Sequence, residues 1–292
     1  MVSMDVMNYL MEVAVISFVA PVVLLMIWRL RTRKNMIPAL AGALMYLVFA
    51  QFLAVIPNTV FLNMLRPVAK LLGSNQILYA LYLGIVAAIL EETARYLTFR
   101  YILPKYGEQR ETAVTYGIGH GGIECMLTYG VSNLMYYITA TVLNGNSEAI
   151  NEFPKDVFDE VLNLTVFDCV LDGISTILFF LLQIGLSIFM FQAYRNEALC
   201  KRLFGFAMLF HLLAYLPKGF YNEGLIPHVL AVILLFIIVG LQLYVAVVIY
   251  KKMGENEKKL DKERAASNSG WNVAKKKLNT IEEQKENTSE KK

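Results

Sequence analysis

Apolar runs recur seven times along this chain, and a run of about 20 such residues is what an α-helix needs to cross a bilayer. They cover residues 9–28, 38–56, 77–101, 112–139, 166–191, 203–216 and 226–250. The sixth is the shortest, and Pro217 followed by Gly219 predicts a break or bend near its far end. With 57% apolar and only 17% charged residues, the chain is expected to be an all-α polytopic membrane protein of about seven transmembrane helices rather than a soluble enzyme.

The loops between the runs predict an orientation. Arg29, Arg31, Arg33 and Lys34 follow the first run; Arg100, Lys105 and Arg110 the third; Arg195, Lys201 and Arg202 the fifth; Lys251 and Lys252 the seventh. The intervening loops hold fewer cations: Arg66 and Lys70, then Lys155 among Glu148, Glu152, Asp156, Asp159 and Glu160, then Lys218 alone. Positive charge prefers the cytoplasmic side, so the N-terminus is expected outside and the C-terminus in the cytoplasm. Residues 1–250 are expected to form the transmembrane domain of a multi-pass cell-membrane protein. Residues 251–292, rich in Lys and Glu, read as a disordered or loosely helical cytoplasmic tail.

Other classes find little support. Cys125, Cys169 and Cys200 are far apart and form no C-x-x-C pair, against a disulfide framework or thiolate metal site. A net charge of +3 concentrated in loops and tail does not imply nucleic acid. The first run lacks a basic leader and is long enough to span, so no cleavable signal peptide is expected.

Against this background the ionisable residues inside the runs stand out, because such a group in lipid needs a partner or a wet cavity. Glu91, Glu92 and Arg95 lie in the third run, His120 and Glu124 in the fourth, and His211 in the sixth. Counted from the cytoplasmic ends at about 1.5 Å per residue, Glu91, His120 and His211 share a depth of roughly 12 to 14 Å. Glu124, one turn deeper, is on the same helix face as His120. One buried polar site is therefore expected, with Gly117, Gly119, Gly121 and Gly122 allowing close helix approach. Glu91 and Glu92 are about 100° apart around their helix, so one is expected to work while the other is held, with Arg95 in reach of both. His120 and Glu124 suit metal ligation, a catalytic pair or an interhelical hydrogen bond. Asp168 and Asp172 read as an outer-mouth or interhelix pair, and His228 as interfacial.

No H-E-x-x-H, G-x-S-G or G-x-G-D arrangement is present, which leaves a chemistry of Glu and His. Glu91-Glu92-x-x-Arg95, Gly119-His120-Gly121-Gly122-x-Glu124 and the late His211 resemble the YhfC family of glutamic-type intramembrane proteases. That family is related to PrsW and to the CAAX prenyl endopeptidase and bacteriocin-processing group. The resemblance implies peptide-bond hydrolysis in the membrane by a glutamate-activated water. Glu91 would be the base, supported by Glu92 and Arg95, with His120, Glu124 and His211 completing the site. One position departs: relatives in the wider group often carry Asn or Asp four residues after the last histidine, where this chain has Tyr215, whose hydroxyl can still donate a hydrogen bond.

The expected substrate is a membrane-embedded or membrane-tethered protein or peptide. No cofactor is expected in this reading, with imidazole N–H groups stabilising the oxyanion. The nearest alternative is a zinc metalloprotease with Glu91, His120, Glu124 and His211 as ligands. A proton-coupled transporter also uses buried Glu and His, though no clear inverted repeat supports it.

Overall fold

The computed structural model describes residues 1–106, 109–145 and 155–289, and no strand occurs among them. In chain order the α-helices are α1 (Met4–Thr32), α2 (Ile37–Tyr46), α3 (Val55–Asn58), α4 (Arg66–Gly73), α5 (Gln76–Leu97), α6 (Glu111–Cys125), α7 (Val131–Gly145), α8 (Lys155–Asn163), α9 (Val166–Arg195), α10 (Glu197–Asn222) and α11 (His228–Ser289). Wider π-helical turns cover Leu47–Leu53, Thr59–Met64, Thr98–Ile102 and Met126–Gly130. Glu148 and Glu152 of the acidic loop, and the last three residues of the tail, lie outside the described residues.

Six stretches are long and apolar enough to cross a membrane: Met4–Thr32, Ile37–Met64, Gln76–Ile102, Val166–Arg195, Glu197–Asn222 and His228–Ser267. The remaining expected span, 112–139, is also helical, running from α6 through the Met126–Gly130 turn into α7. It is less apolar because it faces protein: eleven of the 15 residues of α6 are buried. Apolar side chains on the outer faces of the other spans, such as Leu40, Phe52, Phe236 and Tyr244, are exposed and suit contact with lipid. The chain is a helical, multi-pass membrane protein.

The central pillar is α9, where 72% of the most apolar stretch is buried, against 17–33% in the other five spans. Its start is set by a capping box, with Thr165 and Asp168 each bonding the other's backbone N–H. Its end turns directly into α10, whose N-cap Asn196 accepts from the Leu199 N–H. This one-residue turn makes α9 and α10 antiparallel neighbours. The Asn75 side chain caps α5 through the Leu78 N–H in the same way.

Helix α10 does not break at Pro217 as the sequence suggests. Proline forfeits one backbone donor, and so near the C-terminal end the remaining bonds carry the helix on to Asn222. Lys218 consequently belongs to a membrane helix and not to a loop.

Close helix contacts rest on glycine. A Cβ on Gly119 would collide with the Ala39 carbonyl of α2, and one on Gly117 would lie 2.6 Å from Ile184 Cα of α9. Helix α6 is thereby pressed between α2 and α9, with α5 and α10 closing the group. Contacts divide the chain into a unit Met1–Ile249, which holds the site described next, and a unit Tyr250–Lys292, whose backbone is helical through Ser289.

Candidate active site

Helix spacing supplies the first contacts. Glu92 and Arg95 are three residues apart on α5 and form an ion pair, while Arg95 Nη2 lies 3.6 Å from Glu91 Oε2 one turn away. The two glutamates part as their angular separation requires: Glu92 turns to Arg95 and α10, Glu91 to α6.

From α6, His120 Nε2 lies 3.0 Å from Glu91 Oε2. From α10, His211 places Nδ1 2.6 Å from Glu92 Oε1 and Nε2 3.7 Å from Glu91 Oε2. An ionised carboxylate only accepts, which assigns the proton to His211 Nδ1 and leaves Nε2 with the lone pair. Tyr215 donates its hydroxyl to Glu124 Oε1 at 2.5 Å. Glu91, Glu92, Arg95, His120, Glu124 and His211 are all at most 2% exposed. These residues, singled out in the sequence, therefore do meet, from three helices. Tyr215 sits beside them with its hydroxyl already committed to Glu124.

A fourth helix also contributes. Gln183 of α9 accepts a hydrogen bond from Arg95 Nη2 and donates one to Glu91 Oε2 at 3.4 Å. Its amide bridges the guanidinium and the carboxylate, which orients both. The signal was a single amide in the apolar run Phe179-Phe180-Leu181-Leu182-Gln183-Ile184. Rings enclose His120: Tyr116 stacks on it at 5.8 Å between centroids, and Tyr46 meets it edge-on at 5.3 Å.

Asp168, Asp172 and His228 form a separate cluster. His228 lies 3.4 Å from Asp168 and 3.7 Å from Asp172, stacks on Tyr221 at 4.1 Å, and is 8% exposed. It joins α9 to α11 at the start of the last helix.

The donor set suits a divalent cation. Glu91, His120 and Glu124 each offer a ligand atom within 4.8 Å of the others. Buried Glu124 Oε2 and His211 Nε2 have no hydrogen-bond partner among the described residues. Three carboxylates also face a single guanidinium, and buried negative charge is costly unless protons or a cation offset it. Imidazole and carboxylate donors are acceptable to zinc.

A bundle that carries a carboxylate and imidazole centre inside its membrane-spanning helices defines a multi-pass membrane protein with an intramembrane polar site. Residues 16–252 match the family described as YhfC intramembrane metalloprotease. The chain belongs to that family and is an intramembrane endopeptidase. It is 27% identical over 252 residues to "Uncharacterized membrane protein YhfC" of Bacillus subtilis (strain 168), an alignment covering 84% of this chain and 96% of that protein. No solved structure matches the chain.

Proposed function

We propose that the chain hydrolyses a peptide bond of a membrane-embedded substrate at the cluster of Glu91, His120, Glu124 and His211, and that it does so as a zinc-dependent enzyme. The observation that carries this reading is the convergence of Glu91, His120 and Glu124 within 4.8 Å, beside buried polar atoms that no group among the described residues satisfies. These three residues would hold the cation and leave a position open, as catalytic zinc sites do. When bound, the cation would supply Lewis-acid polarisation of the scissile carbonyl and of the attacking water.

The other residues have separable tasks. Glu92 holds His211 by its Nδ1–H, so that Nε2 faces the centre and can take a proton from water and return it to the leaving amine. Arg95 and Gln183 keep Glu92 and Glu91 apart and oriented. Tyr215 steadies Glu124.

A metal-free glutamic mechanism is favoured by one specific observation. The 3.0 Å contact of His120 with Glu91 is a direct hydrogen bond. Glu91 would then be the base, with His120 as an oxyanion donor and His211 joining it only in its doubly protonated form, since the neutral ring spends its N–H on Glu92. Full-length protein in liposomes separates the two. In the zinc reading, purified protein holds about one zinc per chain, a chelator abolishes cleavage of a spanning peptide, and zinc restores it. Cleavage that withstands the chelator and is lost in Glu91→Gln establishes the metal-free form.

A further inference from the structure

Next to Glu124 a cavity of about 240 Å³ opens between α5, α6, α9 and α10. Gly84, Thr128, Phe179, Tyr215 and Lys218 are among its lining residues. All lie on one side of the site. Gly84 is seven residues before Glu91, Thr128 four after Glu124, and Lys218 seven after His211, so the cavity leads away from the α9 to α10 turn.

Lys218 is the cation in this lining. Its ammonium lies 4.0 Å from the Tyr129 ring centroid, and among the described residues no salt bridge to it is formed. Asp172 of α9 shares a second, small cavity with Lys218; it and Glu124 attract the ammonium at a distance, but neither makes a contact within 4.0 Å among the described residues. Glu124, at the inner end, accepts from Tyr215 through Oε1 and keeps Oε2 without a hydrogen-bond partner among the described residues, but does not come within 4.0 Å of the ammonium. An ammonium at this depth needs an anion or water, and the space beside it is otherwise walled largely by apolar and aromatic groups.

We propose that this cavity receives the substrate segment next to the scissile bond, and that Lys218 anchors a carboxylate of that segment. The carboxylate is an acidic side chain or a free C-terminus. The seven-residue interval from His211 to Lys218 is about 10 Å of helix, and an extended chain advances roughly 3.3 Å per residue. The preferred carboxylate is thus about three residues from the cleaved bond. This inference rests on the hydrolytic reading of the site.

The probe is a set of labelled spanning peptides, identical except that one glutamate is moved position by position and paired with a glutamine twin. A shorter peptide ends at the preferred position as free acid or amide. Binding is measured to full-length Glu91→Gln protein in nanodiscs, and cleavage with the unsubstituted protein. At one position the glutamate peptide should bind roughly tenfold tighter than its twin. The preference should vanish in Lys218→Met and return in Lys218→Arg. A matching gain for the free acid over the amide identifies a C-terminus as the source; a gain confined to the side chain identifies an internal acidic residue. Equal binding of all twins, or a preference that survives Lys218→Met, overturns the proposal. If Lys218 serves only to balance Asp172, Lys218→Met lowers thermal stability without touching the preference. Failure of the hydrolytic reading is separate: the peptides bind, but the unsubstituted protein cuts none of them.

Discussion

His211 and Glu92, 119 residues apart in sequence, share a 2.6 Å contact that turns the other ring nitrogen of His211 toward Glu91. The pair works as a hinge pin: Glu92 fixes the tautomer, and the tautomer fixes which nitrogen is free.

Glu92→Gln keeps the shape of that contact but replaces the ionised acceptor. Removing a partner that orients a histidine typically costs about 10- to 100-fold in activity or metal affinity. Peptide cleavage should fall by that order, and because Glu92 is also the buried ion-pair partner of Arg95, turnover is compared at a temperature where the variant remains folded. An unchanged turnover would remove Glu92 from the machinery.

Arg95 is fully buried against Glu92 and Gln183. Breaking a buried ion pair by deleting one member destabilises by about 3 to 5 kcal/mol, because the other charge is left without compensation. Arg95→Met should therefore lower the unfolding temperature strongly. Arg95→Met combined with Glu92→Gln should recover part of the loss, and full additivity would rule out direct coupling.

Tyr215→Phe removes the donor to Glu124 and almost no volume. A hydrogen bond to a charged group is worth about 1.5 to 3 kcal/mol. If the phenol serves catalysis through Glu124, turnover falls about tenfold or more with folding intact, measured alongside thermal unfolding to separate the two effects.

Gly119→Ala places a methyl group against the Ala39 carbonyl. Backbone must move, and overpacking of this kind costs roughly 1 to 3 kcal/mol. Gly205, which has open space around it, provides the control. Gly205→Ala should be neutral or slightly stabilising in the same melt.

The long spans and the meeting of Glu91, His120 and His211 were legible because hydrophobic run length and helical rise are local properties. Gln183 was not, since one neutral amide barely dents the hydropathy of α9, and its importance comes from what α5 presents to it. Lys218 was misplaced because Pro217 and Gly219 flank it, and proline near a helix end is compatible with either a break or a continuation. The low hydropathy of α6 has a cause outside its own sequence: neighbouring helices, not lipid, surround it. The π-helical turns after Arg95 and Glu124 have no pattern signal at all.

Because the polar centre draws on α5, α6, α9 and α10 together, it also acts as a gauge of correct assembly. Sliding any one of these helices by a single residue rotates it about 100° and turns an acid, an amide or an imidazole away from its partners into apolar surroundings. Mispaired arrangements are thus penalised at this one centre, and only the right alignment brings Arg95, Gln183, Glu91, Glu92 and both histidines into contact at once.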